Sequence, residues 1–205
     1  MNLVQRVKNI LLQPKQEWQV IDGEAISAAD LYKSYIVPLA AIGPLASIIG
    51  MAVVGLSMPF VGTYRVPLGM AASHAVVSYI LTLLSVFLLA LVINALAPTF
   101  GGRKEQNQAL KVAAYASTPS WLAGIFMLLP ALGFLGLLAS LYGLYLLYLG
   151  LPVLMKTPPD KALGYTVVVV IVAIVIFMIF GAVSSALIAY PTPEMPMPGT
   201  GPGMD

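Results

Sequence analysis

The chain has 205 residues, of which 60% are hydrophobic and 9% are charged, and its formal net charge is +2. A soluble domain carries about a quarter charged residues, so this composition excludes an ordinary water-soluble protein. The small net charge and scattered basic residues argue against a nucleic-acid partner. Because the chain has no cysteine, disulfides, thiolate metal sites and cysteine nucleophiles are excluded.

The first predicted element is an amphipathic helix over residues 2–13. Leu3, Val7, Ile10 and Leu11 fall on one face, and the polar and basic residues fall mostly opposite. Such a helix can lie in the headgroup layer of a membrane, and Trp18 suits the same interfacial depth. The alternative is that the apolar face packs on cytoplasmic loops of the protein.

Five membrane-spanning helices are predicted after this segment. A helix needs about 20 apolar residues to cross a hydrocarbon core about 30 Å thick. Uncharged stretches at 35–64, 66–102, 112–155 and 162–193 are long enough, and the third holds two crossings separated by proline and glycine at 130–133. The predicted spans are 35–57, 74–97, 112–129, 133–155 and 164–189. The fold class is therefore an all-α polytopic bundle of five transmembrane helices with an N-terminal interfacial amphipathic helix.

The start and shape of the first span follow from four residues. Ser27 and Asp30 have the spacing of a capping box, which predicts a helix beginning there. Pro38 and Pro44 each remove a backbone donor and predict bends within the span.

The distribution of charge predicts the orientation. With the N-terminus in the cytoplasm, nine of the ten basic residues lie inside and Arg65 alone lies outside, as the positive-inside rule requires. We therefore expect a multi-pass protein of a bacterial cytoplasmic (inner) membrane with an external, periplasmic C-terminus. The expected divisions are a cytoplasmic amphipathic segment (1–26), a membrane domain (27–190) and an external tail rich in proline, glycine and methionine (191–205).

The predicted spans contain no Asp, Glu, Lys or Arg, which leaves a proton relay or an acid–base pair without members. The sole histidine, His74, lies at the outer start of the second span, where a satisfied interfacial side chain is the simplest interpretation. A soft-metal site between His74 and the methionines of the tail stays open as an alternative. We predict no enzymatic activity, no cofactor and no resident metal.

Hydroxyl and amide side chains form polar stripes on two predicted spans. Asn94, Ser78, Thr82 and Ser85 lie on the second span, and the third carries Ser117, Thr118 and Ser120. These groups either hydrogen-bond neighbouring helices or line a water-filled path. On the fourth span, Ala139 and Gly143 have the small-xxx-small spacing of a packing seam, which joins either another span or a second copy of the protein.

Several short motifs, in this order and spacing, resemble the Yip domain family, named for proteins that interact with Ypt/Rab GTPases, and especially its bacterial branch. They are Pro14-Lys15-Gln16-Glu17-Trp18, Phe100-Gly101-Gly102, Tyr115-Ala116-Ser117-Thr118-Pro119 and Lys161-Ala162-Leu163-Gly164-Tyr165. Asp30-Leu31-Tyr32 is also similar to the start of a motif that precedes the first span in eukaryotic relatives. The resemblance implies a five-span membrane domain.

The leading interpretation is a non-enzymatic Yip-like membrane protein that organises lipid or protein partners. Its expected partners are the lipid bilayer, membrane proteins and, through Ala139 and Gly143, a second copy. The alternative is a channel or transporter for a small solute or ion, with a polar path between the second and third spans. The candidate functional residues are Trp18, Asp30, Tyr32, His74, Asn94, Tyr115, Ser117 and Pro119.

Overall fold

The computed structural model describes residues 2–58, 62–129 and 132–187. Within these ranges the chain is mostly helical, and it contains one short antiparallel hairpin, in which β1 (Leu56–Met58) pairs with β2 (Gly62–Tyr64). The predicted all-α class is therefore confirmed. The expected turn at Pro130–Ala131 and the expected tail at 191–205 lie outside the described residues.

Two short helices, which we call the N-terminal hairpin, precede the spans. They are α1 (Leu3–Leu12), capped by the Asn2 side chain, and α2 (Pro14–Gly23), which begins on a proline that needs no backbone partner. Ile10 and Ile21 are fully buried against the bundle. The predicted amphipathic helix is present. Its apolar face packs on the protein, which is closer to the alternative expectation of packing on cytoplasmic loops than to contact with the headgroup layer.

Four helical segments are long and apolar enough to cross a membrane, judged by length and composition. They are Ala28–Val54, Leu68–Phe100, Leu135–Leu154 and Pro159–Leu187. We call them the first, second, fourth and fifth spans. The second consists of α6 (Leu68–Leu96) and a 3-10 turn (Ala97–Phe100), the fourth is α9 (Leu135–Leu154), and the fifth is α10 (Pro159–Leu187). The chain is a multi-pass membrane protein.

The first span is not one continuous α-helix, and two of its interruptions lie beside the predicted proline positions. It contains α3 (Ala28–Leu31), a π-helical turn (Tyr32–Ile36), α4 (Val37–Ala40), α5 (Ile42–Ile49) and a second π-helical turn (Gly50–Val54). Ser27 caps its start, since its Oγ accepts from the Asp30 amide at 3.1 Å. Asp30 does not complete a reciprocal capping box, because its carboxylate accepts the Ser27 hydroxyl at 2.6 Å instead.

The third predicted span differs from the single continuous helix expected over 112–129. It is divided into α7 (Gln106–Ala116), α8 (Thr118–Ala123) and a 3-10 turn (Gly124–Leu128). Pro119 has no amide hydrogen to donate to the carbonyl four residues earlier, so α7 cannot continue through it. This segment is not among the four spans that are long and apolar enough to cross a membrane.

The broken third segment nevertheless runs beside the first span for most of its length. The Thr118 hydroxyl meets that of Tyr35, and farther along the Gly124 backbone lies against Gly43. Near the end of the segment, the Met127 carbonyl fills the space beside Gly50. The two segments therefore progress in the same direction, as expected if residues 106–128 also cross the membrane.

Candidate functional site

Two candidate residues predicted from the sequence, Trp18 and Tyr115, lie together in the core. Their rings meet edge to face, with centroids 6.2 Å apart. Trp18 is fully buried, so its indole packs within the protein and does not contact lipid headgroups, while its depth in the membrane stays a prediction. The physical reason is Gly150 on α9, where a Cβ would lie 2.8 Å from the indole and where its absence makes room for the ring.

Buried charges lie beside this aromatic pair and hold the N-terminal hairpin together. Arg6 Nη1 contacts Glu17 Oε1 at 2.5 Å, and Arg6 Nη2 contacts Glu24. Arg6 and Glu17 are only 5% and 4% exposed. Burial opposes the charge of Arg6, but its hydrogen bond to Glu24 and the nearby carboxylates outweigh this, and the pKa of Arg6 is raised.

The charges extend from the N-terminal hairpin to the third segment and the end of α9. Lys111 Nζ donates to the carbonyl oxygens of Ile21 at 3.0 Å and Glu24 at 2.5 Å, where α2 ends and carbonyls lack helical partners. Lys156 Nζ lies 2.6 Å from Asp22 Oδ2. We call the following six residues the clamp: Arg6, Glu17, Asp22, Glu24, Lys111 and Lys156. Its three cations balance three carboxylates, so the clamp is formally neutral.

A column of aromatic and hydroxyl groups continues from the clamp into the bundle. The Arg6 guanidinium lies over the Tyr115 ring at 5.6 Å, and Tyr115 contacts Tyr35 with ring centroids 4.6 Å apart. The Tyr35 and Thr118 hydroxyls are hydrogen-bonded at 2.7 Å, and Thr118 is fully buried. Because these polar groups partner one another, the column fixes the third segment against the first span and the N-terminal hairpin.

The four motifs of the sequence form two clusters at this end of the bundle. Trp18 contacts Tyr115, and Glu17 pairs with the Arg6 guanidinium that lies over the Tyr115 ring. In the other cluster, Phe100 stacks on Tyr165, with centroids 4.9 Å apart and an interplanar angle of 9°. Gly101 permits the turn, because its φ of +74° is in the left-handed region. The motifs are therefore contacts between segments distant in sequence.

We expect Tyr165→Phe to lower the free energy of unfolding by about 1–2 kcal/mol. The Tyr165 side chain is fully buried, and its hydroxyl donates to the Ile93 carbonyl of the second span. Removing the hydroxyl deletes this buried hydrogen bond between the fifth and second spans, and the Ile93 carbonyl keeps only the Ala97 amide as a donor. Titration with sodium dodecyl sulfate in mixed micelles measures the change. Tyr148→Phe is the control, because Tyr148 is 40% exposed; equal losses for both variants would contradict the assignment.

The remaining predicted candidates do not join the clamp. Tyr32 donates to the Leu83 carbonyl at 3.0 Å, and Asp30 stays exposed at the start of the first span. His74 is half-buried near the start of α6. Asn94 is also half-buried, and its Oδ1 has no hydrogen-bond partner among the described residues. Pro119 is buried where it separates α7 from α8. The structure thus disperses these side chains.

Ser117 instead lines a cavity of about 460 Å³ between the second, third and fifth spans, which we call the groove. The predicted polar stripes of the second and third spans meet here. Six hydroxyl side chains contribute to its wall: Ser78, Thr82, Ser85, Ser117, Ser120 and Ser184. The rest of the lining is Leu81, Val86, Leu89, Ala173, Ile176, Phe177, Phe180 and Gly181. The groove therefore has hydroxyl groups and apolar groups but no ionisable one.

The sequence analysis missed Arg6 as a core residue, together with Glu24, Lys111, Tyr35 and Thr118 as its neighbours. A usable signal existed for Arg6. It follows Leu3 by three residues and precedes Ile10 by four, which places it on the buried face of α1. Its carboxylate partners lie across a turn whose geometry the sequence does not specify.

Neither the clamp nor the column resembles a catalytic centre. Five of the six clamp charges form ion pairs, and Lys111 is bound by two backbone carbonyls. Within the described ranges no three His, Asp or Glu residues lie where they could hold a metal ion. Buried ion pairs of this kind fix the position of one segment against another. The arrangement is suited to holding the N-terminal hairpin in place.

Comparison with known proteins identifies one family. The family model of the Yip1 domain matches residues 8–180, which is most of the chain and includes both motif clusters. The resemblance drawn from the motifs is thereby confirmed. No curated protein and no solved structure matches the chain.

Proposed function

Because the chain belongs to the Yip1 domain family, we propose that it is a non-enzymatic membrane protein that organises lipids at one surface of the bilayer. The observation that carries this proposal is the outer face of α1. Val4 and Leu12 are 69% and 68% exposed, and Lys8 lies between them on the same helical face. Two apolar side chains flanking a cation form an interfacial surface.

The neighbours of this face favour an anionic lipid surface as its partner. Lys15 is also exposed and follows on α2. The Lys156–Asp22 ion pair and the hydrogen bond from the Arg103 amide to the Met155 carbonyl keep both basic loops at the same end of the bundle. Cations near a membrane surface attract anionic headgroups with about 1 kcal/mol each.

The same arrangement supports the expected orientation. Arg65 follows β2 at the opposite end of the first span, away from the N-terminal hairpin and the basic loops. The excess of cations at the hairpin end corresponds to the cytoplasmic side under the positive-inside rule. This distribution supports the proposal that the N-terminus lies in the cytoplasm. That the membrane is a bacterial inner membrane stays part of the proposal.

The proposal is tested with a fluorophore on a single engineered cysteine, since the chain has none of its own. Leu12→Cys carries a polarity-sensitive dye on the full chain in vesicles with and without phosphatidylglycerol. We expect a blue-shifted emission that moves farther to the blue when anionic lipid is present. The charge reversals Lys8→Glu and Lys15→Glu together should remove the dependence on anionic lipid.

Lys104→Cys serves as the control for this measurement, because Lys104 lies in an exposed loop at the same end of the bundle. Its dye should report an aqueous environment. If the dye at position 12 reports the same environment as the dye at position 104, the outer face of α1 does not contact lipid and the proposal is wrong.

A second candidate function is favoured by the groove. A path for a small solute or ion was expected between the second and third spans, and hydroxyl side chains of both spans face the groove. The test is solute flux into vesicles containing the protein. Ser85→Ala should abolish any flux without lowering the folded yield if the groove conducts. Flux that Ser85→Ala leaves unchanged would dismiss this candidate.

A further inference from the structure

The groove exists because the fifth span leaves the bundle part-way along its length. In the first half of α10, Tyr165 and Val169 are fully buried. Farther along, Phe177 is 79% exposed and Met178 is 58% exposed. The groove opens between this second half of α10 and the second span, with Ser117 and Ser120 of the third segment also contributing to its wall.

The depth of the groove corresponds to one leaflet of a bilayer. Its wall on the second span extends from Ser78 to Leu89, which is about 16 Å along a helix axis. Half of a hydrocarbon core is about 15 Å thick. Since α6 begins just after the β1–β2 hairpin, the Ser78 end lies toward the membrane face opposite the N-terminal hairpin.

The hydroxyl groups in the wall of the groove do not favour binding of a hydrophilic ligand. Thr82 donates to the Ser78 carbonyl at 2.8 Å, and Ser85 donates to the Thr82 carbonyl at 2.7 Å. Ser78 and Ser117 likewise donate to carbonyls of their own helices. These four hydroxyl groups therefore already donate their protons to backbone carbonyls of the protein. The groove offers weak acceptors, apolar surface and no charge, which is poorly suited to binding an ion or a sugar.

We propose that the groove binds one acyl chain of a glycerophospholipid from the leaflet opposite the N-terminal hairpin. The chain extends from Ser184 and Gly181 at the mouth toward Leu89 and Ala173 at the inner end. Its ester group lies near Ser184, where a hydroxyl can donate to the ester carbonyl. This site is independent of the lipid surface proposed for α1, which lies at the other end of the bundle.

Photocrosslinking tests the site. The full chain is placed in phosphatidylethanolamine–phosphatidylglycerol bilayers that contain a phosphatidylcholine with a diazirine in one acyl chain. We expect adducts on residues 78–89 and 173–184 to exceed, several-fold, those on the exposed face of α9 at Leu137, Leu138 and Leu141. Native mass spectrometry should detect about one retained phospholipid per chain. Equal labelling of all lipid-facing helices would overturn the proposal.

Gly181→Leu fills the mouth of the groove, and Gly136→Leu on α9 is its matched control. A Cβ at either glycine meets nothing within 4 Å, so both variants should fold, and only Gly181 lines the groove. Gly181→Leu should lose the retained phospholipid and the excess of groove adducts, whereas Gly136→Leu should keep both. Unchanged labelling in Gly181→Leu would contradict the site.

The reactivity of a single engineered cysteine distinguishes a bound acyl chain from a water-filled path. Ser85→Cys places it in the wall of the groove in a chain without other cysteines. A bound acyl chain should protect this thiol from a charged methanethiosulfonate reagent. Fast modification, comparable with that of Lys104→Cys, would show water in the groove and overturn the lipid assignment. This result would leave the proposal for α1 unaffected.

Discussion

Arg6→Met is expected to lower the free energy of unfolding by about 3–5 kcal/mol, the usual cost of removing one partner of a buried ion pair. The loss arises from Glu17, which is 4% exposed and whose Oε1 lies 2.5 Å from Arg6 Nη1. Without the guanidinium, this carboxylate stays buried without its cation. The measurement is a sodium dodecyl sulfate titration of the full chain in mixed micelles.

Two further variants show whether the loss belongs to the ion pair. Lys8→Met removes an exposed cation from the other face of α1 and should change the stability by less than about 0.5 kcal/mol. The double variant Arg6→Met and Glu17→Met should recover most of the loss, because apolar side chains of similar size can replace a buried pair. If the double variant loses as much free energy of unfolding as the two single variants combined, this explanation is wrong.

Gly143→Ala is expected to lower the free energy of unfolding by up to about 3 kcal/mol, the upper end of the range for overpacking. A Cβ at Gly143 would lie 2.8 Å from the Ala116 carbonyl oxygen. This oxygen belongs to the backbone of the broken third segment, so it cannot rotate away as a side chain would. Gly136→Ala, on the same helix with nothing within 4 Å of its Cβ, is the matched control.

The result also decides what the small-residue seam of the fourth span joins. The structure places Gly143 against the third segment of the same chain, which occupies the face expected to accept either another span or a second copy. Destabilisation by Gly143→Ala, with no change of oligomeric state, is the expected outcome. Dissociation of a dimer without loss of stability would assign the seam to self-association instead.

The membrane-spanning character was predictable because charge-free stretches of sufficient length have few alternatives in a chain of this composition. The interruptions of the first span near Pro38 and Pro44 were predictable for a similarly local reason, since proline removes a backbone donor wherever it stands. The break at Ser117–Pro119 was missed although it has the same cause. Hydropathy over 112–129 is continuous, and a window average does not register a lost hydrogen bond.

The clamp was harder to predict from the sequence than the spans. The separations between Arg6 and its partners Glu17 and Glu24 are set by the turn between α1 and α2, and Lys111 approaches from a different segment. A charged residue on an amphipathic helix is normally assigned to solvent, and only the tertiary packing overrides this assignment. The same holds for Trp18, whose burial depends on the missing side chain of Gly150.

Only part of the lining of the groove was predictable from the sequence. The hydroxyl stripes of the second and third spans are visible in the sequence, and the structure brings them together. The contribution of Gly181 and Ser184 depends on where α10 leaves the bundle, which is beyond its fully buried residues Tyr165 and Val169. No local pattern in the uniformly apolar fifth span marks that position.

Five crossings of the membrane, with the third broken at Ser117–Pro119, require the two ends of the chain to lie on opposite sides. Gln5→Cys and Gly203→Cys place single thiols near the two ends of a chain without cysteine. In oriented vesicles, an impermeant maleimide should label the two positions from opposite sides of the membrane. Labelling of both from the same side would mean that residues 106–128 do not cross, and would contradict the account.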